Sequence, residues 1–74
     1  MPDKPRTKSP IPGWERLAPG TLGPLATRSV EQSLNSYESE LAQIQSGQVA
    51  PGYPGRIREL MNLIEWYRYW LDLP

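Results

Sequence analysis

Cysteine and histidine are both absent from this 74-residue chain. Their absence rules out disulfides and the usual zinc-ligand sets. It also removes the commonest general base and the most reactive side-chain nucleophile. No glycine-rich phosphate loop precedes a helix, since Pro51-Gly-Tyr-Pro-Gly55 lacks the lysine and the spacing of a P-loop. Carboxylate pairs do occur, but on a helix Glu38 and Glu40 point to different faces, and Glu65 and Asp72 fall on a polar strip. The expectation is a non-enzymatic protein with no cofactor, no metal and no small-molecule substrate. No apolar run approaches the ~20 residues of a membrane-spanning helix. The first residues are polar and proline-rich and lack the apolar core of a secretion signal. The expected setting is therefore the cytoplasm or an assembled particle, with no signal peptide.

Net charge is zero, but the charges are segregated. Lys4, Arg6, Lys8, Arg16 and Arg28 against Asp3 and Glu15 leave residues 1–28 at +3. Arg56, Arg58 and Arg68 against Glu31, Glu38, Glu40, Glu59, Glu65 and Asp72 leave residues 29–74 at −3. A basic tail on an acidic body follows, without the strong basic stripe expected of a nucleic-acid binder.

Residues 1–26 read as an extended arm. Six of the nine prolines fall in the first 24 residues, each fixing φ, removing a backbone donor and biasing its predecessor away from helix. Pro19-Gly20 and Gly23-Pro24 are strong loop dipeptides. Trp14, Leu17, Leu22 and Leu25 are spaced through this segment. Flexible linkers seldom carry such side chains, so these four are expected to anchor the arm in pockets on a partner.

Residues 27–74 read as an all-α unit, an antiparallel two-helix hairpin. The first helix is expected over 29–46, with Ser29 and Gln32 as a capping box and Thr27 as a competing cap. Val30, Leu34, Tyr37, Leu41 and Ile44 step by four and three along it, a narrow apolar seam. Gly47 suits the position just past its end. The Pro-Gly pairs at 51–52 and 54–55 mark the connection.

The second helix, expected over 56–73, carries two apolar stripes. Ile57, Leu60, Ile64, Tyr67 and Leu71 form one, which the first helix can cover. Leu63, Trp66, Trp70 and Leu73 form the other, roughly 110° round the helix. A two-helix hairpin has nothing to place on this second stripe. Trp and Tyr are enriched at interface hot spots, so Leu63, Trp66, Trp70 and Leu73 are the expected centre of a contact with one or more larger proteins or with copies of this chain. On that reading the chain alone self-associates or is partly unfolded, and replacing both tryptophans by serine leaves the hairpin core intact. Stacking of the aromatics on single-stranded nucleic acid is disfavoured by the neighbouring Glu59, Glu65 and Asp72. Membrane-surface binding is disfavoured by the mixed charge of the polar face. The sequence thus points to an accessory or structural subunit of a larger assembly, of the cement, linker or connector kind found in virus-like particles. The alternative is a small regulator that inhibits or redirects an enzyme or transcription complex.

Overall fold

A computed structural model describes residues 3–73. Two α-helices, α1 (Pro24–Gln45) and α2 (Arg56–Trp70), follow a short 3-10 turn at Trp14–Arg16. Among the described residues there is no strand. At about 1.5 Å per residue, α1 runs nearly the whole 36 Å length of the molecule.

Helix α1 begins five residues before Ser29. Gly23 is its N-cap and Pro24 occupies the first helical position. Proline is well suited there, because its fixed φ is already helical and its missing N–H would be unsatisfied in any case. Thr27 donates its N–H to the Gly23 carbonyl at 2.8 Å and its hydroxyl to the Leu22 carbonyl at 3.3 Å. It therefore lies within the first turn, and Ser29 is exposed. The far end is closed by Gly47 at φ 81°. Gly47 N–H donates to the Ile44 carbonyl at 3.1 Å and Gln48 N–H to the Gln43 carbonyl at 2.9 Å, which satisfies carbonyls that would otherwise lack partners.

Helix α2 stops at Trp70, short of the expected Leu73, for two local reasons. Asp72 takes the left-handed conformation, φ 58°, and Leu73 N–H turns back to the Arg68 carbonyl at 2.9 Å. The Trp70 carbonyl instead accepts the N–H of Gly20 at 3.0 Å. A residue far back in the chain thus caps the helix. Gly20 sits at φ 76°, with the Asp72 Cβ 3.8 Å from where its own Cβ would stand. A side chain here would fit in ordinary contact with Asp72 but would carry the strain of the positive φ.

The helices pack through part of the expected seam; Ile57, expected beneath α1, is instead 38% exposed, because it lies in the first turn of α2 beside the open Pro51–Gly55 connection. Val30 and Leu34 of α1 are buried with Trp66, Tyr67 and Trp70 of α2, and Tyr37, Ile64 and Leu71 pack against that cluster. The Tyr37 and Tyr67 rings meet edge to face at 5.4 Å. Charged pairs flank the seam. Arg56 grips Glu40 with two hydrogen bonds of 2.7 Å, and Arg68 reaches Glu38 at 3.1 Å.

The Arg56 hydrogen bonds hold the Glu40 carboxyl below its ordinary value of 4.5. A carboxylate with a lowered folded pKa contributes stability that is present above its unfolded pKa and lost as pH falls through the folded one. Glu40→Gln should therefore be less stable than the parent in urea at neutral pH. The difference should close as pH drops below about 4.5. A gap that persists in acid would show that packing, and not the ion pair, is at work.

Candidate functional site

The second stripe of α2 is covered by the chain itself. Trp66 and Trp70 are 1% and 0% exposed, and the segment before α1 lies over them. Ile11, Trp14, Leu17 and Leu22 all pack against the core cluster. The cover is polar as well as apolar. Trp70 Nε1–H donates to the Trp14 carbonyl at 3.1 Å, and that oxygen also accepts Leu17 N–H at 3.0 Å. Trp66 Nε1–H donates to the Thr7 hydroxyl at 3.0 Å. Thr7 in turn donates to Asn62 Oδ1, while Asn62 Nδ2 donates to the Lys8 carbonyl at 3.2 Å. Asn62 thereby clamps residues 7 and 8 to α2 with both ends of its amide.

The rings form a chain of contacts. Trp14 stands edge-on to Trp70 at 5.0 Å, and Trp70 touches Trp66 at 5.4 Å and Tyr67 at 5.5 Å. Such pairs contribute about 0.5–1.5 kcal/mol each beyond the area they bury. Burial, with Tyr37 alongside, pushes the Tyr67 hydroxyl up to about 12, so the core phenol stays protonated at neutral pH. Among the described residues, no buried side-chain nitrogen or oxygen lacks a hydrogen-bond partner.

The eight expected interface residues thus separate into two groups. Trp14, Leu17, Leu22, Leu63, Trp66 and Trp70 are brought together in one intramolecular cluster. The pocket expected on a partner is supplied by α2 of the same chain, because the segment is long enough to fold back along that helix. Leu25 and Leu73 stand apart, 84% and 38% exposed. Sequence reasoning missed Thr7, Ile11 and Asn62. Ile11 was a visible apolar signal within the proline-rich stretch, but contacts across 55 and 59 residues, as for Thr7 with Asn62 and Trp66, leave no local pattern.

Besides Leu25, Leu73 and Val49, a different apolar strip is open to solvent. Tyr53, Ile57 and Met61 are 47%, 38% and 56% exposed. They line two shallow depressions that share Ile57, one over the Pro51–Gly55 connection and one reaching Met61, Asn62 and Thr7. Tyr53 hydroxyl donates to Glu59, which also receives Arg56, so the tyrosine ring is tethered beside the strip. Among the described residues, no group of acidic side chains stands where it could hold a metal ion, and no helix is long and apolar enough to cross a membrane. Compared with protein-family models, curated proteins and solved structures, the chain finds no match.

Because the tryptophans carry the core, Trp66→Ser/Trp70→Ser should unfold the chain rather than free a surface. Trp70→Ala alone should cost about 3–5 kcal/mol, most of what a domain of this size holds. Half-buried Trp14→Ala should cost about 2 kcal/mol. Urea titration followed by circular dichroism measures all three. A soluble, fully helical double mutant would contradict the intramolecular assignment.

Proposed function

We propose that this chain is a small, non-enzymatic accessory or structural subunit that docks on a larger protein assembly, in the manner of cement, linker and connector proteins. Its body is an antiparallel hairpin, stiffened by a proline-rich arm laid along α2. The observation that supports the reading is the exposed strip Tyr53–Ile57–Met61. Single exposed apolar side chains are ordinary. Here three lie along two depressions that meet at Ile57, Tyr53 on the connection and Ile57 and Met61 on α2, the helix that also packs against α1 and the arm. Methionine and tyrosine are favoured at binding surfaces, methionine for its adaptability and tyrosine for its large area with a polar tip.

In this role the arm is part of the body. It completes a core that two helices cannot close, and α2 remains the docking element, presented through its Ile57–Met61 face. Leu25 and Leu73 are secondary contacts where α1 begins and α2 ends. The runner-up, a small regulator that inhibits or redirects an enzyme or transcription complex, draws less support from the acidic helices, because Glu38 and Glu40 are engaged by Arg68 and Arg56.

Ile57→Glu/Met61→Glu tests the proposal. Both side chains are exposed, so helical content and urea midpoint should stay close to the parent. Affinity for the assembly should fall by about tenfold or more, as when central interface anchors are lost. Tagged chain recovered from its native source should elute with a large complex at fixed stoichiometry, and the variant should elute free. Parent chain recovered only as a free monomer would overturn the proposal.

A further inference from the structure

The N-terminal segment carries a second surface of different chemistry. Lys4, Arg6 and Lys8 all line one open depression of about 590 Å³. Glu15 is the only carboxylate among its lining residues. Among the described residues, no ion pair engages these three cations. Arg56 and Arg68, which flank the helix seam, contrast with them, since each is matched to a glutamate. The backbone bearing the three cations is held in place. Pro5 is buried, Thr7 is bonded to Trp66 and Asn62, and the Lys8 carbonyl accepts Asn62.

We propose that this depression binds an acidic peptide segment, with Lys4, Arg6 and Lys8 meeting carboxylates of the partner. Three cations lining one depression on a backbone held in place suit a partner segment that carries several carboxylates. Fixing the segment before binding lowers the ordering cost that a loose basic tail would incur. Nucleic acid fits less well. Recognition of single strands relies on aromatic faces for base stacking, and the aromatic residue in this lining, Trp66, is 1% exposed. The partner class rests on the protein-docking reading above, but the site is separate from the Ile57–Met61 strip.

The test is fluorescence anisotropy on the full chain with a labelled peptide of alternating glutamate and serine. The expected result is saturable one-to-one binding that weakens as salt is raised. Arg6→Ala/Lys8→Ala should weaken it by about tenfold or more, and Arg16→Ala/Arg28→Ala, with the same loss of charge outside the depression, by less than about twofold. Lys4→Ala/Lys8→Ala gives an independent second loss, and circular dichroism checks that each variant remains folded. Equal weakening by the inside and outside pairs would overturn the proposal, as would non-saturating binding. Tighter binding of a single-stranded oligonucleotide of equal charge would also overturn it. A chain that binds the peptide but is always free in its native source defeats the assembly reading alone. One that joins its assembly through α2 yet ignores the peptide defeats this inference alone.

Discussion

The contact between Trp14 and Trp70 holds the rest of the structure together. Trp70 is completely buried, and its indole N–H would be a costly orphan without an acceptor. The Trp14 carbonyl supplies one, at the 3-10 turn that also places the Trp14 ring edge-on to Trp70. Gly13, at φ 88°, turns the chain into that geometry without the penalty another residue would carry. Seven residues later Gly20 N–H caps the Trp70 carbonyl. One side chain and one peptide unit of α2 are thus both satisfied by the N-terminal segment. A two-helix unit that would otherwise expose a tryptophan stripe becomes a three-element core.

Electrostatics reinforces this arrangement without specifying it. The first 28 residues are positive and the remainder negative, so the segment and the helices attract at long range. The close contacts between them are apolar packing and hydrogen bonds to neutral groups. Among the described residues the ion pairs lie between and along the helices, where Arg56 and Arg68 reach Glu40, Glu59 and Glu38. Lys4, Arg6 and Lys8 therefore remain available on the outside of the segment.

Local periodicity made the helices and their seam legible in the sequence. Val30, Leu34, Tyr67 and Leu71 sit where the four-three spacing placed them, and Gly47 ends α1 as its αL preference requires. The surplus of apolar surface on α2 was equally visible, but its destination was not. Nothing in a proline-rich stretch reveals its docking register, because it lacks periodicity and its hydrogen-bond partners on α2 lie fifty or more residues away. The start of α1 and the end of α2 were missed for related reasons. Pro24 reads as a breaker unless it falls at the first helical position, and Asp72 is a less obvious αL residue than glycine. Candidate interface residues chosen for apolar character alone were therefore mostly core residues. The exposed Tyr53, Ile57 and Met61 were distinguishable only once the N-terminal segment had a place.

The most direct measurement is the exchange and through-space coupling of the three indole N–H protons in dilute, monomeric chain, by NMR. If the N-terminal segment closes the core, the Trp66 and Trp70 indole protons are protected from solvent exchange, and the Trp14 ring shows cross-relaxation to Trp70. If all three indole protons exchange at the rate of free tryptophan and Trp14 shows no contact with Trp70, the stripe is open and the account is contradicted.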